Sequence, residues 1–216
     1  MTPPVKPPPR PPPPRRYRST VRTEQAKQTR QRVLDAAKRL FVERGYASTT
    51  IAAVADAAGV SQETVYASFG GKRRLLEGVI DATIPLEPER DSALKVIGRL
   101  GTARARLRAF VEFCCGVLAH TSPIHNVIRG AADSEAFAVE LRARLLSERL
   151  VNQKRHLAKH VRVRLRAGLT PRGAAERLCA LTSPEMYHLT TAELGWSRER
   201  HQEWIAALAE RELLGA

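Results

Sequence analysis

The side chains with a chemistry to argue from lie in the run Ser61-Gln62-Glu63-Thr64-Val65-Tyr66-Ala67-Ser68-Phe69. Wound as a helix, this run sets hydroxyls and an amide along one side and Val65 and Phe69 along the other. Small polar groups of this kind suit hydrogen bonds to base edges and phosphates. Nothing elsewhere offers a reaction. The chain has no Gly-x-Ser-x-Gly, no phosphate-cradling Gly-x-x-x-x-Gly-Lys loop and no dinucleotide glycine fingerprint, so an enzyme is not expected. His156 and His160 have the four-residue spacing of a two-ligand metal site, but Lys154, Arg155, Lys159 and Arg162 surround them and oppose a cation. A solvated basic face is the expectation, with no metal and no cofactor. The three cysteines, Cys114, Cys115 and Cys179, lack the count and spacing of a disulfide framework or a zinc site. Cys114 and Cys115 share an apolar stretch with Phe110 and Phe113 and read as buried small hydrophobes.

The elements that must position residues 61–69 are helices. Hydrophobic residues make up 43% of the chain and aromatics only 5%, so the core is built of Ala, Leu and Val, which favours packed helices over a sheet. Ala55 permits a close helix approach, Gly59 four residues later takes a left-handed turn, and Val65 locks the following helix into the core. That is the physical requirement of a helix-turn-helix, whose second helix presents its N-terminal residues to a major groove. Before it, Val33, Leu34, Ala37, Leu40 and Phe41 form one apolar stripe that Gly45 ends. Thr49 is read as the cap of the next helix and Ser61 as the cap of the third. Lys72 to about Ala82 makes a fourth helix, closed by Pro85 and Pro88. Further helices are predicted at 92–101, 103–120, 123–133, 135–166, 171–182, 184–194 and 198–214, with Thr170, Ser183 and Ser197 as caps.

Charge adds a partner class. The chain of 216 residues has a formal charge of +14, and residues 1–22 carry six basic side chains with no acid. Nucleic acid is the commonest polyanion to meet such an excess. Nine of the 14 prolines fall in residues 1–14, so residues 1–22 are expected to be a disordered basic tail, with Arg22 able to reach DNA. No run approaches 18 uninterrupted apolar residues and the N-terminus lacks a signal-peptide core, so a cytoplasmic protein with no membrane partner is expected.

Gly45-Tyr46, Thr49-Thr50-Ile51, Val54-Ala55, Ala58-Gly59-Val60-Ser61, Thr64-Val65-Tyr66, Phe69, Lys72 and Leu75-Leu76 together resemble the N-terminal domain of the TetR family of bacterial transcriptional regulators. The resemblance runs without gaps over about residues 27–87. It implies an all-α protein: a three-helix DNA-binding domain over 23–87, with its motif at 50–69, and a larger helical effector-binding and dimerisation domain over 88–216. It assigns DNA contacts to Thr50, Ser61, Gln62, Thr64, Tyr66, Ala67 and Lys72, the last two hydroxyl or ammonium contacts (Tyr66, Lys72) being to phosphate. The chain departs from the family pattern at Ser68, where His or Tyr is usual, and at Glu63, where a small or basic residue is common. Phe113, Cys114, His120 and His125 are the candidate ligand-binding set, surface capping being the other reading of the two histidines. The implied function is a homodimeric repressor on a double-stranded operator, released by a small-molecule effector through the fourth helix. The alternative is a basic architectural DNA-binding protein without ligand control.

Overall fold

The computed structural model describes residues 15–84, 87–162 and 164–215. Ten α-helices follow one another there: α1 (Arg15–Ser48), α2 (Ile51–Ala58), α3 (Gln62–Phe69), α4 (Lys72–Thr83), α5 (Glu87–Ile97), α6 (Ala103–Ala132), α7 (Ala136–His156), α8 (Pro171–Leu181), α9 (Pro184–His188) and α10 (Arg198–Leu213). Single π-helical turns extend α7 over Leu157–Val161 and α9 over Leu189–Glu193. The protein is all-α; among the described residues the one extended contact is an isolated antiparallel bridge, Leu165 to Leu214.

Several boundaries differ from the predicted ones, each for a local reason. Helix α1 starts at Arg15, so residues 15–22, expected as the end of an extended tail, are helical. They contain neither Pro nor Gly to stop a helix. Residues 1–14 of that expected tail lie outside the described residues. Gly45 interrupts α1 with φ 77°, as its breaker reading requires. Helix α5 starts before Pro88, which sits in its first turn, where a missing N–H costs nothing. The long helix predicted to end at Arg166 stops at Val161 instead, because Arg162 turns left-handed (φ 47°) and Arg106 Nε donates 2.7 Å to the Val161 carbonyl. Thr170, Ser183 and Ser197 cap α8, α9 and α10 as predicted.

The largest difference is at Pro123, where a break was expected and α6 runs straight through. A proline inside a helix costs about 3 kcal/mol or more. The apolar residues on both sides of it offset that cost, since burying one Ile or Leu is worth roughly 1.5–3 kcal/mol. Leu107, Phe110, Val111 and Cys115 join a core with α5, α8 and α10, while Ile124, Val127, Ile128 and Ala131 join the core of α1 to α4. Ala138 and Leu141 of α7 complete that first core. The packing of the first four helices therefore extends across the chain boundary expected at residue 87.

His156 and His160 are a correction. Each is only 6% exposed, and their rings pack 5.7 Å apart, with Phe110 6.0 Å from His156. They share the inward stripe with Leu157 and Val161, while Lys154, Arg155 and Lys159 point out. Burial first, then Arg155, pushes the His156 imidazole down to about 4. The unfolded chain protonates this ring below about pH 6.5, the folded chain only near pH 4. Its contribution is present above pH 6.5 and is lost as pH falls through that window. Thermal melts should show Tm dropping from pH 7 to pH 5, and His156→Gln should make the drop shallower; an unchanged slope would contradict this origin.

Candidate nucleic-acid interface

Two adjacent threonines divide the work at the start of the motif. Thr50, exposed, is the N-cap of α2, its Oγ1 accepting from Ala53 N–H at 3.1 Å. Thr49, expected as that cap, is 1% exposed and does something else. Its hydroxyl lies 2.8 Å from the Gly45 carbonyl and 3.1 Å from that of Leu40, tying the break in α1 to the start of α2. Gly59 closes α2 at φ 64°, ψ 44°, and Val60 N–H then bonds back to Ala55 at 3.0 Å. Ser61 caps α3, accepting from Thr64 N–H at 3.3 Å, and lies 3.2 Å from the Thr64 hydroxyl.

Val65 and Phe69 turn α3 inward, as does Tyr46 nearby. Gln62, Glu63, Tyr66, Ala67 and Ser68 are exposed and Thr64 is half-buried. Tyr66 is 52% exposed and its hydroxyl has no partner among the described residues. Glu63 lies on the same outward surface. The Ser61 hydroxyl and its own backbone N–H stabilise its charged form, so it is an anion there. The far end of α3 is held by Arg30 of α1, which donates 2.9 Å to the Ser68 carbonyl and lies 4.1 Å over the Phe69 ring. Nothing local in the sequence pairs residues 38 apart, so Arg30 was not foreseen.

Lys72 opens α4. Its ammonium donates 3.0 Å to the Ala47 carbonyl and sits 4.3 Å over the Tyr46 ring, and partial burial lowers its pKa. One N–H is thus used internally and two remain. Gly71 before it provides no side-chain cap, which leaves the first-turn N–H groups of α4 open to an anion. Arg22 is exposed on α1, within a stretch, 22–28, that projects beyond the core with every side chain exposed.

A cavity of about 580 Å³ opens between α6, α7, α8 and α9. Of the four residues expected to bind a ligand, His125 lines it. Phe113 instead stacks on Phe110 at 6.4 Å, and Cys114 Sγ accepts from Gln153 at 3.7 Å with its thiol pushed up to about 12 by burial. His120 is exposed. The lining residues outside that set include three cations, Arg129, Arg142 and Arg149. Arg142, Leu145, Leu146, Arg149 and Leu150 recur at three-and-four spacing on α7, a mixed stripe that marked one face.

The profile described as bacterial regulatory proteins, tetR family, matches residues 33–79. The chain carries a TetR-family helix-turn-helix domain. Similar proteins include the transcriptional regulator TtgR of Pseudomonas putida, 39% identical over 59 residues, which are 27% of this chain and 28% of that one. Another is the regulator AcrR of Shigella flexneri, 39% identical over 56 residues, 26% of each chain. The alignments thus span about a quarter of each of these relatives. The fold extends further: the structure of NalD, the secondary repressor of the MexAB-OprM multidrug efflux pump in Pseudomonas aeruginosa, superposes with TM-score 0.68 at 22% identity over 88% of this chain and 98% of that one. A SmeT–triclosan complex does so with TM-score 0.65 at 19% identity over 86% and 91%.

The hinge of this TetR-type domain rests on the buried Thr49 hydroxyl. Thr49→Val keeps the volume and leaves two carbonyls without their donor, a loss of about 1–3 kcal/mol. Urea melts should show that loss in Thr49→Val and a much smaller one in Thr49→Ser; equal stability of Val and Thr would contradict the role.

Proposed function

We propose that the protein is a homodimeric transcriptional repressor that places α3 of each protomer in the major groove of an operator and releases it when a small molecule fills the cavity. The observation that carries this reading is in α6. His125, Asn126 and Arg129 line the cavity, and Ile124, Val127 and Ile128, on the same turns, lie in the core of the DNA-reading helices. A ligand that favours one setting of α6 therefore favours one placement of α3, which is the differential binding a population shift requires. The route first expected, through α4, becomes a route through α6, against which α1 and α4 pack.

On DNA, Tyr66 and the open N-terminus of α4 with Lys72 take phosphates, and Thr50 adds one at the start of α2. Gln62, Thr64 and Ala67 face base edges, with Ser61 at their N-terminal end. Arg22, on the projecting part of α1, adds grip without reading sequence. The anionic Glu63 suits a cytosine amino group and repels phosphate. Dimerisation through the C-terminal helices would match a pseudo-palindromic site.

Selection from random DNA, followed by fluorescence anisotropy on the selected duplex, tests the interface. Tyr66→Phe should weaken binding several-fold on every sequence alike, because it removes a phosphate contact. Gln62→Ala should change the selected base at one position. Two variants with wild-type affinity and preference would overturn the assignment of α3.

A further inference from the structure

The cavity's walls combine a hydrocarbon surface with more cations than its carboxylates match. Val139, Leu145, Leu146, Leu150, Ala180 and Pro184 supply the apolar surface. Three guanidiniums and two carboxylates supply the charge, from Arg129, Arg142, Arg149, Glu176 and Glu185. Both carboxylates are already engaged. Glu185 meets Arg142 at 3.3 Å, and Glu176 meets Arg172, which is not a lining residue, at 2.7 Å. That leaves Arg129 and Arg149, both half-buried. Arg149 is fixed by neutral acceptors alone, donating 2.9 Å to the Cys179 carbonyl, 3.2 Å to Cys179 Sγ and 3.4 Å to the Thr182 carbonyl. Arg129 has no hydrogen-bond or ion-pair partner among the described residues.

We infer that the cavity binds an amphipathic organic anion, with its carboxylate or equivalent headgroup at Arg129 and Arg149 and its hydrocarbon body against the leucines of α7. The inference rests on the cavity being the effector site, but its chemistry can be tested separately from release of DNA. A cationic ligand has no free acid here, and the lining has no aromatic face to hold it. A neutral one leaves Arg129 without a counter-charge, and Arg149 with only the field of Glu185, which already pairs with Arg142. An anion supplies what is missing, and guanidinium groups pair with carboxylates in a fixed fork geometry. His125, in the same wall, is pushed down to about 4 by burial and then by Arg149, so at neutral pH it is an uncharged hydrogen-bonding group beside the headgroup.

The experiment is calorimetric titration of the full chain with decanoate, 1-decanol and decyltrimethylammonium, all below micellar concentration. Decanoate should bind, more weakly as salt rises, and the other two should bind at least tenfold more weakly. Arg129→Gln should lower decanoate affinity at least tenfold while leaving the ligand-free Tm unchanged, since Arg129 makes no internal bond. Arg149→Lys, which keeps a charge but not the fork, should give a smaller loss. Decanol or the ammonium binding as tightly as decanoate, full affinity in Arg129→Gln, or no binding of any of the three would overturn the inference. Operator anisotropy on the same samples separates the two claims. Arg129-dependent binding of decanoate without release of DNA would leave the ligand class standing and remove the cavity's role as effector site.

Discussion

The structure depends on one helix remaining whole. Helix α6 carries Phe110 and Val111 into the second core and Ile124 and Ile128 into the first, with Pro123 between them. If the proline broke the helix, the two cores would be joined by α7 alone, which carries Ala138 and Leu141 into the first and, through its π-helical extension, Leu157 and Val161 into the second. Because the burial on both sides exceeds the cost of one lost backbone bond, a single rod is embedded at each end. Helices α1 to α4, proposed to read DNA, are then fixed by packing to the part of the protein that holds the cavity. That is a stronger constraint than the connection through α4 alone.

The motif was legible because its demands are local. Ala55, Gly59, Val65 and the Ser61 cap each answer to a neighbour within a turn or two, and each lies where the spacing required. What was not legible depends on partners far along the chain. Thr49 and Thr50 are equally good caps on paper; only the packing of α1 against α2 decides that Thr49 turns inward to the Leu40 and Gly45 carbonyls. Pro123 reads as a stop until the two cores on either side of it are known. His156 and His160 were masked by the charges of their neighbours, although Leu157 and Val161 beside them marked the buried stripe. Of the expected ligand set, His125 lines the cavity, while Phe113 and Cys114, from an apolar stretch, pack against a core; the cavity itself forms where the long α7 mixes Arg with Leu.

The charge of +14 is used in more than one way. Along α1 and at the start of α4 it surrounds α3, whose own outward side chains are neutral except for Glu63. In the proposed function, cations there supply attraction and orientation, while discrimination falls to an amide, a few hydroxyls and a methyl group. Arg30 uses its charge internally, fixing the end of α3 through a carbonyl and a ring. In the C-terminal half, some arginines are matched by glutamates on adjacent helices, as in Arg177–Glu212 and Arg108–Glu210.

Native-state hydrogen exchange, followed residue by residue in low denaturant, tests the shared rod most directly. If α6 belongs to both cores, the amides of Val127, Ile128 and Ala131 should open with the same free energy and denaturant dependence as the buried amides of α1 and α4. Exchange at 124–131 that follows Leu107 and Val111 while α1 and α4 stay closed would mean that the core of α1 to α4 stands without α6, and would contradict the account.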